Sequence, residues 1–479
     1  MVLRATRRFE LRFISNTFVQ RELKKLKRQK AQGMDELPPG LLKDCRQHIF
    51  QPLGYILNLS IRCNKVPSLW KVAKVVPIHK KGPHNNSENY RPISILPVLS
   101  KILERAVHQQ LMEFLEEQQL LTKYQFGYRT NRSTNLAATL FVDNIRKEVD
   151  SGNMVGAVFI DLSKAFNTLG HSTLLAKLPA YGFDGNELLW FTDYLFGRQQ
   201  YVQLGKSTSS TQPVYSGVPQ GSILGPLLFN LYFNDFADRV LMANVLLYAD
   251  DTVLYFAGKD VGTIEHTLTR ELQEVARYLD EKELLINLKK GKTEVMLFGT
   301  AKRLSLKDRE LNVKYRGIEI NTTKEYYLSW LYTGQHPQVK RMLCCNRLQL
   351  LSTLRHNVTA DAATKIFRSM ILSTVTYSGL FKLQFTRTQL GRIKSIECRA
   401  KNIIGPQQDG KVLAPIVKTL HKQSCTIVRK CLDGQMCNNY FEINTTGINT
   451  RNANCLLKLP KVKLDFAKQS FFYSGAKIY

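Results

Sequence analysis

The sequence predicts an α+β fold, and three observations carry that expectation. Residues 155–160 form a continuous apolar run, the pattern of a buried strand. Residues 245–249 and 252–256 are two further apolar stretches separated only by Asp250-Asp251, as in a hairpin. Residues 99–117, 133–149 and 263–282 instead carry apolar side chains at three- and four-residue spacing, the signature of amphipathic helices.

The other elements follow in chain order. Residues 19–30 read VQRELKKLKRQK, with Leu23 and Leu26 on one narrow apolar stripe among cations. The stripe suits a solvated amphipathic helix first, with a nuclear-import signal or a nucleic-acid contact as the sharper alternative. Leu37-Pro38-Pro39-Gly40 breaks it, and another helix is expected through about Ser60. Residues 71–81 read as a short strand with cations at both ends, and 82–89 as a polar loop. Residues 174–177 and 186–196 read as helices, and 200–205 with 212–215 as a strand pair. Residues 295–298 read as a strand, and 311–320 alternate around Arg316-Gly317, which predicts a hairpin. Residues 338–405 are mostly helical in pattern; beyond Pro406 the pattern becomes irregular.

Length and composition bound the function. A chain of 479 residues has room for about three domains, and a 44% hydrophobic share is ordinary for a globular protein. Charge is the unusual property: 68 Lys and Arg against 39 Asp and Glu give a formal net charge of +29. Such a surplus predicts a polyanionic partner, phosphate backbones being the commonest, with a membrane surface or an acidic protein left open by charge alone. The nine cysteines are odd in number and thinly spread, which suits a reducing compartment better than a disulfide framework. Cys425, Cys431 and Cys437 lie near His421 but form no CxxC pair, so they read as unligated thiols. No apolar run approaches the length of a membrane span, and the Arg-rich N-terminus lacks the apolar core of a signal peptide. An intracellular protein of the nucleus or cytoplasm is expected.

Chemistry concentrates on acids at strand ends. Two-residue turns favour Gly and Asn, so Asp250-Asp251 at a hairpin tip is poor turn chemistry, and the like charges repel. A divalent cation turns that repulsion into attraction; a solvent-exposed turn is the plainer alternative. Asp161 ends the buried run, where a charge is costly unless paired or metal-bound. Acids from two strands of one sheet can hold two Mg²⁺ about 3.5–4 Å apart, the arrangement that serves in-line phosphoryl transfer.

The motifs then show a resemblance. Phe159-Ile160-Asp161-Leu162-Ser163-Lys164-Ala165-Phe166 resembles motif A of non-LTR (LINE-type) retrotransposon reverse transcriptases. Ser216-Gly217-Val218-Pro219-Gln220-Gly221-Ser222-Ile223-Leu224-Gly225-Pro226 resembles motif B, and Tyr248-Ala249-Asp250-Asp251 resembles motif C. Asn89-Tyr90-Arg91-Pro92-Ile93-Ser94 and Gln125-Phe126-Gly127-Tyr128-Arg129 resemble the fingers motifs, residues 30–44 the segment upstream, and 470–479 the tail. The ordered set is far more specific than a lone Tyr-Ala-Asp-Asp.

The resemblance implies a right-hand polymerase and RNA-directed DNA synthesis on an RNA template, with a DNA primer or RNA–DNA hybrid and dNTPs as partners. It implies residues 1–60 as an N-terminal extension, 61–155 as fingers, 156–335 as palm with an antiparallel sheet, 336–405 as a helical thumb and 406–479 as a tail. Catalysis would rest on Asp161, Asp250 and Asp251. Asp161, Leu162, Asp250 and Asp251 would meet two Mg²⁺ ions, which Mn²⁺ could replace. Lys80, Arg91, Phe166, Gln220 and Gly221 would meet the nucleotide, with Lys81 a further candidate for the triphosphate. Gly217, Tyr248 and Arg129 would meet nucleic acid. Phe166, five residues after Asp161, is the sugar gate whose aromatic edge would clash with a ribose 2′-hydroxyl; core packing is the alternative. Gly217 and Gly221 would let backbone approach a base or sugar closely. Lys289, Lys290 and Lys292 occupy the region of motif D, and the sequence does not choose among them. Departures are also present. Ala165-Phe166-Asn167-Thr168 stands where the family runs Ala-Phe-Asp-Thr, Gly170 stands where an acid precedes His171, and Tyr326-Tyr327-Leu328-Ser329 lacks the glycine of the primer grip. The family's upstream endonuclease is not among these residues, and a weakened or catalytically dead nucleic-acid-binding remnant is the alternative function. An RNA-dependent RNA polymerase is a further rival, against which Phe166 argues.

Overall fold

The run at 155–160 offers solvent nothing polar, and the structure buries every residue of the strand it forms. This computed structural model describes residues 5–80, 82–304, 311–323, 394–396, 398–400 and 402. The primer-grip stretch at Tyr326, the residues at Cys425, the tail, Lys81 and nearly all of 336–405 lie outside the described residues. The strands, in chain order, are β1 (Val72–His79), β2 (Tyr90–Ile95), β3 (Met154–Ile160), β4 (Arg198–Leu204), β5 (Ser207–Thr208), β6 (Gln212–Val214), β7 (Asn244–Tyr248), β8 (Asp251–Gly258), β9 (Glu294–Phe298), β10 (Lys314–Tyr315) and β11 (Ile318–Glu319). The α+β expectation holds. The chain forms two units interleaved along the sequence: Met1–Arg129, Asp161–Leu241 and Glu271–Asn287 make one, and Thr130–Ile160, Met242–Arg270 and Leu288–Tyr479 the other.

The first unit carries a sheet of order β2-β1-β4-β5, with β6 pairing β4. Strand β1 runs antiparallel to β2 and parallel to β4. Pro77 opposes Pro92, yet no ladder bond is lost to β4, because that pairing ends at Val75↔Val202. The helix Gly225–Phe233 is apolar all round and buried at every position but Pro226, so it forms the centre of this unit's core. Its one buried amide, Asn230, donates to Gly127 O at 2.9 Å.

At the N-terminus the helix spans only Asn16–Lys24 and stops short of the last cations of 19–30. Its cations Arg21 and Lys24 are exposed, as a solvated face requires, while the opposite face packs. Val19 and Leu23 are fully buried, and Glu22, 2% exposed, bonds Lys25 at 2.8 Å and Arg105 at 2.7 Å. Cys45, Cys63 and Cys398 are free thiols. Among the described residues no helix is long and apolar enough to cross a membrane.

The second unit carries an antiparallel sheet of order β7-β8-β3-β9. Strand β3 is central, which explains its apolar composition: both of its faces are covered. On one face Phe141, from the helix Thr134–Asp150, meets Phe159, Tyr255 and Phe298 at 6.1, 5.3 and 6.1 Å between ring centroids. On the other, Gly156 admits Ile264, whose Cγ2 would lie 2.4 Å from a Cβ at that position. The expected hairpin near Arg316-Gly317 is present as β10 and β11, with both turn residues at positive φ, 51° and 78°.

Candidate active site

In the second unit the β7–β8 ladder closes at Tyr248↔Asp251. The two-residue turn is therefore Ala249-Asp250, one residue earlier than the Asp250-Asp251 tip expected from the sequence. Asp251 belongs to the strand. The shift rests on Ala249, which takes φ +57°, the conformation that favours glycine, while only 3% exposed. Asp250 and Asp251 are both half-buried. Burial, and then the Asp251 carboxylate, push the Tyr248 hydroxyl above its ordinary pKa. Strand β3 ends at Ile160, which pairs with Thr252, the residue after Asp251.

In the first unit Asp161 is half-buried and tied to Asn287. The Asn287 backbone N–H donates to Asp161 O at 2.8 Å, and its side-chain Nδ2 donates to Asp161 Oδ2 at 3.1 Å. Leu162 bridges Ile286, and Ser163 N–H donates to Leu285 O at 2.7 Å. Asn287 escaped the sequence reading. It is 126 positions from Asp161, and no local pattern marks it.

Lys164 then adopts φ +50° and opens the short helix Ala165–Thr168. This helix and the residues that follow it are laced to the motif B segment. Phe166 O accepts from Val218 N–H at 2.8 Å, Leu169 O from Gly217 N–H at 2.7 Å, and Gly217 O from His171 Nε2–H at 2.7 Å. Phe166 is half-buried, its ring centroid 4.7 Å from that of Phe229. Gln220 Nε2 donates to Asn167 Oδ1 at 2.9 Å, and Gln220 O accepts from Ser94 N–H at 2.9 Å. The buried Glu104 carboxylate accepts from Ile223 N–H at 2.5 Å and Leu224 N–H at 3.3 Å, just before the helix Gly225–Phe233.

The glycines of this segment have a local cause. At Gly217 (φ +77°) a Cβ would sit 2.5 Å from Asn167 O, and at Gly221 (φ +138°) 2.4 Å from Ser94 O. The close approach they permit is to the chain's own backbone. A cavity of about 370 Å³ adjoins them, lined among others by Ser94, Asn167, Gln200, Tyr215 and Gln220.

Lys80 and Arg91 are exposed at one end of the β1–β2 hairpin: Ile78 opposes Arg91, and Lys80 N–H donates to Asn89 O at 2.8 Å. Lys289 and Lys290 are exposed and Lys292 half-buried. Arg129 is a correction. Its side chain is 5% exposed, it grips Glu116 through Nε and Nη2 at 2.9 and 2.6 Å, and it donates to Thr122 O at 2.7 Å. A guanidinium so enclosed braces its own unit and is not available to nucleic acid. Among the described residues no group of three or more His, Cys, Asp or Glu is gathered for a metal ion. Carboxylates are hard oxygen donors of the kind a divalent cation takes, and Asp161, Asp250 and Asp251 are each half-buried.

Residues 78–320, just over half the chain, match the family described as Reverse transcriptase (RNA-dependent DNA polymerase). The chain belongs to that family. It is 27% identical over 411 residues to the probable RNA-directed DNA polymerase from transposon BS of Drosophila melanogaster, covering 80% of this chain and 43% of that protein. It is 25% identical over 397 residues, with the same shares, to the RNA-directed DNA polymerase from mobile element jockey of the same species. It is 26% identical over 248 residues to the Pol polyprotein from the type-1 retrotransposable element R2 of Popillia japonica, covering 49% of this chain and 34% of that protein. The resemblance to non-LTR elements is thereby borne out, and the chain spans less than half the length of these relatives.

Proposed function

We propose that this chain is the polymerase part of a non-LTR retrotransposon protein, adding dNTPs to a primer 3′-hydroxyl on an RNA template. The observation that carries the reading is the register Ile160↔Thr252, with acids following the one residue and preceding the other in sequence. Family membership over 78–320 supports it, since every motif from Lys80 to Asp251 falls in that span.

In this reading Asp161, the main chain at Leu162, Asp250 and Asp251 hold two Mg²⁺ ions. When bound, these ions would lower the pKa of the attacking hydroxyl and neutralise the leaving pyrophosphate. The protein's own groups position and select. Lys80 and Arg91 meet the triphosphate, Phe166 turns its edge to the sugar, and Gln220 and Gly221 meet the nucleotide. Gly217 and Tyr248 lie along the nucleic acid, and a lysine among Lys289, Lys290 and Lys292 gives the leaving group its proton. The +29 charge supports binding of a phosphate backbone. The finger, palm and thumb boundaries at 61–155, 156–335 and 336–405 belong to this reading.

The test is single-nucleotide addition to a primer on RNA, with Mg²⁺, Mn²⁺ or chelator. Addition that needs dNTP and a divalent ion supports the reading. Folded protein that binds hybrid but adds nothing under any of these conditions overturns it in favour of a binding remnant.

A further inference from the structure

Two side-chain amides face each other on the wall of the 370 Å³ cavity. Gln220 Nε2 donates to Asn167 Oδ1 at 2.9 Å. Among the described residues neither Gln220 Oε1 nor Asn167 Nδ2 makes a hydrogen bond. Gln220 therefore turns its Nε2 end to its partner and leaves its Oε1 end for whatever enters. An amide pair has a second solution. If both groups turn over, Asn167 Nδ2 donates to Gln220 Oε1, and the Nε2 end of Gln220, with both its N–H donors, faces outward instead. Asn167 is well placed to govern this choice, because it is fixed at three other points. Its carbonyl O accepts from Ser216 Oγ at 3.3 Å, its backbone lies against Gly217, and its N–H donates to Lys164 O at 2.7 Å.

We infer that Asn167 is a positioning residue that sets the hydrogen-bonding sense Gln220 presents to a nucleotide in this cavity. Because Asn167 is an amide, both senses stay open. A carboxylate at this position only accepts, so it would lock Gln220 with its acceptor outward. Base edges differ in where they offer donors and acceptors, so locking one sense alters the affinities for different nucleotides unequally. The inference rests on the polymerase reading, since it assumes that a nucleotide occupies the cavity.

The experiment forms stalled complexes on a dideoxy-terminated primer annealed to RNA, in Mg²⁺, and measures the Kd of the next dNTP for each of the four template bases. It compares the unmodified chain with Asn167→Asp, Gln220→Glu and the double variant. Asn167→Asp is expected to shift the ratio between the four Kd values by at least about threefold, a change that a purely structural defect, moving all four together, does not produce. Gln220→Glu should weaken dNTP binding about tenfold more when combined with Asn167→Asp than when made alone, because the Asn167 amide donates to the new carboxylate and a second carboxylate repels it. Unchanged ratios together with additive effects overturn the inference while leaving the polymerase reading intact. If the unmodified chain forms no dNTP-dependent complex, the polymerase reading falls and takes the inference with it. Thermal unfolding of each variant confirms that folded protein is compared.

Discussion

Asn287 holds Asp161 at both ends, by its backbone N–H to the Asp161 carbonyl at 2.8 Å and by its side-chain Nδ2 to Asp161 Oδ2 at 3.1 Å. In the proposed reading this side-chain bond fixes the orientation of the Asp161 carboxylate. Asn287→Ala should leave the backbone bond and lose the side-chain one, lowering the rate of nucleotide addition about 10–100-fold, the usual loss when a partner of a metal-binding group is removed. Asn287→Asp should cost at least as much, since it sets a like charge against Asp161. Single-turnover rates measured across Mg²⁺ concentration check this: the Ala variant should need more Mg²⁺. An unchanged Mg²⁺ dependence would make Asn287 a fold residue only.

Ala249 holds the positive φ of the β7–β8 turn while buried. A β-branched residue is a true outlier in that conformation, so Ala249→Val should cost about 2 kcal/mol or more. Ala249→Gly relieves the backbone but loses a buried methyl, and should stay within about 1 kcal/mol of the parent. Urea unfolding measures both. A valine variant of parental stability would contradict the turn described.

Much of the architecture was legible, because strand β3, the helices Thr134–Asp150 and Val261–Glu281, and the β10–β11 turn each announce themselves by local period or turn chemistry. What escaped is what local pattern does not encode. The turn at Ala249-Asp250 sits one residue from the expected tip, because alanine at positive φ contradicts turn propensity. Arg129 read as a nucleic-acid contact because a sequence shows the cation and not its partner Glu116, thirteen positions away and bonded through two nitrogens. The glycines at 217 and 221 read in sequence as sites where backbone nears a base or sugar, and the close neighbours in the fold are Asn167 and Ser94. Asn287 and Glu104 gave no signal, since their partners are remote in sequence.

Burial is the largest influence on Glu104 and pushes its pKa up, against the opposing pull of Arg198 and of the Ile223 and Leu224 N–H groups. The folded chain therefore binds this proton more tightly than the unfolded chain does. Stability from this group is fully present below the ordinary carboxylate value of 4.5 and is lost as pH rises through the folded pKa. Glu104→Gln keeps an oxygen for both N–H groups and cannot titrate. It should remove that fall from a plot of unfolding free energy against pH, whereas Glu104→Leu, which strands the two donors, should cost about 1–3 kcal/mol throughout. A Gln variant with the parental pH profile would contradict the assignment.

Phe166 packs on Phe229 and is half-buried; in the proposed reading its aromatic edge meets the sugar. Phe166→Val should raise the ratio of ribonucleotide to deoxynucleotide incorporation about tenfold or more, since the smaller side chain relieves a steric clash. Parallel losses for both nucleotides would mean that Phe166 serves the core alone.

The proposed function turns on the acids at the strand ends. The most direct measurement is primer extension on RNA with dNTPs and Mg²⁺ by the unmodified chain and by Asp250→Ala, each paired with its affinity for the RNA–DNA hybrid. Extension by the unmodified chain should disappear in the variant while hybrid binding persists. Extension at the unmodified rate by Asp250→Ala would contradict the proposed function.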